Sequence, residues 1–227
     1  MSMSFYVAPE QLMKDKADFA RKGIARGRSM VAVSFAGGIV MAADNPSRTL
    51  RKVSEIYDRI GFGGVGKFSE FDSLRTAGVR HADMKGYTYS REDVDARSLA
   101  NAYAQLLGQV FTHEMKPMEV EVLVAEVGAT QSVDQFYRVS YDGTVVDERS
   151  LTALGGDAEA LRSRLVEACQ DSDDEAATVR AAASALGGPD RVLGVDDLEV
   201  AVLDRTAQRR AFRRIESATL QALLDAS

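Results

Sequence analysis

A serine hydroxyl at the head of a buried strand is a potential nucleophile, and Ser29 stands in that position. It opens the stretch from Ser29 to Asp44, SMVAVSFAGGIVMAAD, where Val31, Val33 and Phe35 alternate with small residues before Gly37-Gly38 and a second apolar run, Ile39 to Met41. Two glycines between apolar runs offer the positive φ angles of a tight turn, so the stretch predicts a β-hairpin buried on at least one face. A hydroxyl there can attack a carbonyl when the residue's own α-amino group serves as base, but here a helical segment precedes it. The other candidates are sparser. Gly61 to Gly66 spells GFGGVG, a literal match to the dinucleotide-binding G-x-G-x-x-G. A true fingerprint follows an apolar parallel strand and precedes a helix that leads to a second strand with an acidic ribose ligand. The preceding VSEIYDRI is half polar and two helices follow, so these glycines are read as letting a second hairpin run close to a neighbouring backbone. His81 and His113 are the only histidines, His113-Glu114 lacks the second histidine of a zinc-protease helix, and the lone Cys169 reads as a small buried hydrophobe. No metal or cofactor is expected.

Composition narrows the partners. The 227 residues, 45% hydrophobic and 27% charged, suit one globular domain spanning 1–227. With 34 acidic against 28 basic residues and a net charge of -6, a nucleic-acid partner is not expected. No apolar run of membrane length is present, so no membrane partner is expected, and the single cysteine leaves no internal disulfide framework; together they make the cytoplasm the default compartment. Asn45-Pro46-Ser47 is excluded as a glycosylation acceptor by its proline.

The elements that must position Ser29 follow from periodicity. Residues 1–8 are too apolar for a permanently solvated tail. Pro9 and Glu10 then open a helix over residues 9–26, with Leu12, Met13, Ala17, Ala20 and Ile24 as its apolar stripe. Leu50 to Ile60 reads as a strand. One helix is expected from about Ser69, capped by Ser69 and Asp72, and another from Ser90 and Asp93 to the stop at Lys116-Pro117. Met118 to Val127 alternates as a strand, and Asp142-Gly143 joins Phe136–Tyr141 to Thr144–Val146 as a hairpin. A strand at Leu151–Leu154, a helix through Leu161, Leu165 and Cys169, a helix capped by Ser172 and Glu175, strands at Leu198–Leu203 and Ala211–Ile215, and a short helix from Ser217 complete the order. Hairpins with helices inserted in pairs predict an α+β fold of antiparallel sheets covered by helix layers.

At this level a resemblance is plain. SFYVAPEQLMKDKADFARKGIARGRS, AGGIVMAADNPSR, KVSEIYDRIGFGGVGKFSEFD and YRVSYDG resemble α-type subunits of the 20S proteasome core in its actinobacterial form, over about Phe5 to Leu224. The resemblance implies a four-layer α-β-β-α sandwich, the Ntn-hydrolase fold, with an extra N-terminal helix. It also implies that copies of the chain form heptameric rings capping proteasome β subunits, and that unfolded protein substrates pass through. Asp44 and Lys52 align with the acid and the lysine of the β-type active site, and Ser29 with its threonine nucleophile. Without a free N-terminal hydroxyl residue they have nothing to activate, so no catalytic residue is expected. The family likeness assigns Lys52, Arg26, Gly27 and Gly66 to a pocket between neighbouring subunits that receives the C-terminal carboxylate of a ring-shaped ATPase activator. Lysine suits a single carboxylate as a compact charge. The segment Met1, Ser2, Met3, Ser4, Phe5, Tyr6, Val7 and Ala8 is implied to gate the channel. The alternatives are an active N-terminal-nucleophile hydrolase and, more distantly, a dinucleotide-binding oxidoreductase.

Overall fold

The computed structural model describes residues 8–169 and 174–225. Residues 1–7 of the expected gate and the expected cap Ser172 lie outside them. One antiparallel sheet holds β1 (Met30–Phe35), β2 (Gly38–Asp44), β8 (Leu151–Leu154), β9 (Leu198–Asp204) and β10 (Phe212–Arg214), ordered β10-β9-β2-β1-β8. The other holds β3 (Val53–Tyr57), β4 (Ile60–Gly66), β5 (Val120–Glu126), β6 (Gln135–Val139) and β7 (Val145–Glu148), ordered β3-β4-β5-β6-β7. Helices α2 (Phe68–Thr88) and α3 (Ala96–His113) cover the second sheet; α4 (Ala158–Ala168), α5 (Glu175–Gly187) and α6 (Ser217–Asp225) cover the first. This is the expected α+β, four-layer α-β-β-α architecture, and α1 (Pro9–Ala25) is its extra N-terminal helix. Among the described residues, no helix is long and apolar enough to cross a membrane.

Alternation sorts each strand between two cores, which is why the central strands lack a polar face. On β1 and β2, Met30, Ala32, Ile39, Met41 and Ala43 face the inter-sheet core, whereas Val31, Val33, Phe35, Val40 and Ala42 face the helices. On β4 the glycines are spacers: a Cβ on Gly61 would lie 2.7 Å from Met41 Sδ, one on Gly63 2.2 Å from Met30 Cε, and one on Gly64 2.7 Å from the Phe71 ring. GFGGVG is therefore a strand over which methionines and a helix close, not a phosphate loop. The first hairpin turns at Ala36-Gly37 without positive φ; the special residue is Gly38, at φ 154°, whose Cβ would fall 2.0 Å from the Leu203 carbonyl oxygen. Gly143 has the positive φ, 84°, that the Asp142-Gly143 turn requires.

Several element boundaries differ from their sequence expectation. α2 begins at Phe68 with Lys67 as N-cap, so Ser69 and Asp72 lie inside its first turns and form no capping box. Ser90 caps only a 3-10 turn, Arg91–Asp93, and α3 starts later, where the Asp95 carboxylate accepts from the Ser98 amide at 2.7 Å. α3 also stops at His113, before Lys116-Pro117. The cap of α5 is Asp174, which accepts from the Ala177 amide at 2.7 Å. On α1, Ala20 and Ile24 are buried but Leu12 is exposed, so the buried face is narrower than the stripe expected.

The two sheets are tied at one end by a buried ion pair. Arg205 grips Asp134 through Nη1 at 2.6 Å and Nη2 at 2.8 Å, and the Ser34 hydroxyl donates to the same carboxylate at 2.5 Å. Remaining guanidinium protons go to the carbonyls of Phe35, Ala36 and Gly128. The Asp134 side chain is 0% exposed and that of Arg205 11%, so removal of one partner strands the other without water. Asp134→Ala is expected to destabilise the chain by about 3–5 kcal/mol, read as a fall in the urea midpoint; a loss under ~1 kcal/mol would remove the clamp from the account.

Candidate functional site

The candidate site forms where α1 hands over to β1. α1 ends in Arg26, a helical C-cap whose side chain is exposed, and Gly27 donates its amide to the Ile24 carbonyl at 2.9 Å. A Cβ on Gly27 would sit 2.8 Å from the Gly66 nitrogen, and one on Gly66, at φ +109°, would sit 2.0 Å from the Glu119 carbonyl oxygen. Three backbones thus meet where two of them must be glycine. The chain continues through Arg28 and Ser29, and the Ser29 carbonyl accepts from the Asp44 amide at 3.1 Å. The Ser29 nitrogen is an ordinary peptide amide.

Lys52 enters from the first residue before β3, paired to β4 by its carbonyl, which accepts from the Gly64 amide at 3.1 Å. Its ammonium donates to the Arg28 carbonyl, and its amide donates to Glu199 Oε2 at 2.8 Å. Asp44 is held not by this lysine but by two arginines, Arg28 Nη1 at 2.6 Å and Arg191 Nη1 at 2.9 Å. Glu199 is the second buried carboxylate, accepting from Asn45 Nδ2 at 2.7 Å, the Lys52 and Val53 amides, and Arg214. Burial pulls the Lys52 amine down to about 8, against the carboxylates of Asp44 and Glu199 and with the help of the Arg28 guanidinium. Lys52, Gly27 and Gly66 therefore converge through adjoining backbone, with Arg26 one residue away on the open side. Sequence reasoning missed Arg28, Arg191, Arg214 and Glu199 as partners. Glu199 left a signal, a lone acid in the apolar strand LEVAVL; the arginines left none, because their register is set by contacts up to 161 residues away in the chain.

What the arrangement can do chemically is limited. A hydroxyl nucleophile needs a base, and the Ser29 α-nitrogen is acylated by Arg28, whose carbonyl engages the Lys52 ammonium. The Lys52 ammonium, partly buried beside two carboxylates that arginines already pair, is left as a positive charge outside any ion pair among the described residues. Among the described residues, no group of three or more His, Cys, Asp or Glu could hold a metal ion.

The comparisons with known proteins bear on this frame. Residues 24–202 match the proteasome subunit family. The chain belongs to that family. Among its relatives, "Proteasome subunit alpha" of Acidimicrobium ferrooxidans is 60% identical over 216 residues, 95% of this chain and 93% of the relative. The protein of the same description from Sanguibacter keddieii is 57% identical over 229 residues, 99% of this chain and 90% of the relative. That from Xylanimonas cellulosilytica is 56% identical over 231 residues, 97% and 95%. These relatives place the chain on the actinobacterial α branch of the proteasome family, in agreement with the resemblance read from its motifs. The chain is thus an α-type proteasome subunit by sequence.

The lowered amine gives a direct test. A folded pKa of about 8, against 10.5 for an ordinary lysine, means that the unfolded chain binds the extra proton between these values. The charged Lys52 therefore opposes folding below pH 8, and stability rises as the pH climbs from there towards 10.5, an increment that Lys52→Met should abolish. Acylation followed by peptide mapping should show Lys52 reactivity reaching half its plateau near pH 8, against about 10.4 for ordinary lysines. A midpoint above ~10 would show the amine to be fully hydrated.

Proposed function

We propose that this chain is a non-catalytic structural and gating subunit of a 20S proteasome core acting in the cytoplasm, a part of the threonine-type endopeptidase complex without an active site of its own. The observation that carries the reading is the bond before Ser29: the nitrogen that would serve as base is a peptide amide, and Lys52 donates to the carbonyl of that same bond. Identical chains assemble as heptameric rings over β rings. Lys52, with Arg26, Gly27 and Gly66 shaping its surroundings, receives the terminal carboxylate of a ring-shaped ATPase activator. A half-buried ammonium offers such a carboxylate a charge-assisted bond stronger than water would allow. Residues Met1 to Ala8 gate the channel; their support is their apolar sequence, MSMSFYVA, directly ahead of α1.

The purified chain alone should hydrolyse no peptide, and co-assembly with a β subunit should bring hydrolysis; activity of a β-free preparation that Ser29→Ala abolishes would instead favour an active N-terminal-nucleophile hydrolase. The activator-docking and gating assignments separate in the α–β complex. Lys52→Ala should leave small-peptide turnover intact and weaken activator-stimulated protein degradation, each lost contact being worth ~1.5–3 kcal/mol and multiplied by several engaged tails. Removal of residues 1–8 should raise peptide turnover without activator. Stimulation equal to the parent's sinks the docking role, and turnover equal to the parent's sinks the gate.

A further inference from the structure

The connection between β2 and β3, residues 45–52, is mostly exposed, and both of its ends close on one buried carboxylate, that of Glu199. At the start, Asn45 Nδ2 donates to Glu199 Oε2 at 2.7 Å, while the same side chain donates to the Leu50 carbonyl at 2.8 Å and accepts from the Ser47 amide at 3.1 Å. At the finish, the Lys52 amide donates to Glu199 Oε2 at 2.8 Å and the Val53 amide to Oε1 at 3.3 Å. Arg214 completes the closure, donating to Glu199 and, at 2.8 Å, to the Val53 carbonyl. Glu199 lies on β9 opposite Ala43 of β2 and is 2% exposed, so it reaches from one sheet to the first strand of the other. A buried carboxylate with this many donors is held in one place by the cost of leaving any of them unmet.

This fastening bears on Lys52 because an ammonium on a four-carbon stem is a flexible point charge. Two anchors restrict it. Glu199 fixes where the stem begins, and Asp44, through Arg28 Nη1 at 2.6 Å, fixes the residue whose carbonyl takes the ammonium. Neither carboxylate takes the ammonium itself, since arginines pair both. The lysine charge is thereby held in place yet left outside any ion pair among the described residues.

We propose that Glu199 is the positioning residue of this site: by gathering the two ends of the 45–52 connection, it sets the Lys52 ammonium where an incoming protein C-terminal carboxylate meets it, without touching that carboxylate itself. The inference rests on the docking role proposed above for Lys52 and names the group on which that role depends.

The test uses the α–β complex and the ring-shaped ATPase of the same organism, with stimulation measured against each variant's own activator-free turnover. Glu199→Gln should raise the half-maximal activator concentration about tenfold and keep the parent's maximal stimulation, since a misplaced charge weakens binding without altering what the bound state does. Asn45→Ala keeps the Glu199–Arg214 pair, so it is the milder variant, and it should raise that concentration too. Asp134→Asn opens the other buried clamp, at the far end of β1, and should not. Acylation by acetic anhydride with peptide mapping reads the placement of Lys52 without any activator. In both site variants a released stem carries the amine into water and moves its midpoint up from about 8, whereas loss of the Glu199 charge alone would move it down. A half-maximal concentration that Glu199→Gln and Asn45→Ala leave at the parent's value, one that Asp134→Asn raises as far, or a midpoint that stays or falls overturns the positioning role while docking by Lys52 stands. Stimulation that Lys52→Ala leaves unchanged overturns the docking reading and the positioning role with it.

Discussion

The seating of α1 at the end of the sandwich is the constraint on which the rest of the molecule depends. Ala20 and Ile24 enter the inter-sheet core, Lys16 donates to the Phe111 carbonyl at 3.1 Å, and Gly23 and Gly27 bring the helix against Glu119 and Gly66 with no room for a side chain. A helix held this way fixes the path of residues 26–29, and so fixes Ser29 as an internal residue of a continuous strand entry. It also decides where the Arg28 carbonyl lies, and through it the position of the Lys52 ammonium. The same packing that closes the end of the sandwich turns the lysine that aligns with the β-type active site onto backbone, where it anchors the Arg28 carbonyl.

Buried charge organises the region behind this closure. Asp44 and Glu199 lie on adjacent strands, with Asp44 opposite Leu198 in the β2–β9 register, and each is paired so that neither carries an uncompensated charge. Because arginines satisfy both carboxylates, Lys52 is attracted by them without being neutralised by a direct ion pair, and its desolvation dominates. The lysine is thus kept where its charge is costly to the isolated chain. The Asp134–Arg205 clamp at another junction between the sheets has the contrasting character of a closed pair, with its donors and acceptors already used inside the chain.

Glycine placement shows how a local motif takes its meaning from packing. GFGGVG matches a phosphate-binding pattern letter by letter, yet Gly61 and Gly63 face methionines of the other sheet, Gly64 faces Phe71, and Gly66 turns past Glu119. The half-polar strand before it had already argued against a nucleotide site. The identity of the groups filling the glycine spaces depends on a sheet-to-sheet approach that no window of sequence contains.

The sequence by itself determined the layered architecture, because period-two alternation in strands without a polar face demands cover on both sides, and helices of period 3.6 occur in the pairs that supply it. It also determined the family, through motifs spread over nearly the whole chain. The sequence misplaces the helix starts by a few residues, because Asp95 caps α3 and Asp174 caps α5 through local contacts for which nearby acids and serines compete on equal terms. Tertiary structure alone decided that Asp44 pairs with Arg28 and Arg191 and that Glu199 receives Lys52, Asn45 and Arg214. The physical reason is one of range: periodicity and turn chemistry are properties of a few consecutive residues, whereas an ion pair between residues 44 and 191 exists only after two sheets, a helical cover and the closing N-terminal helix have fixed every intervening distance.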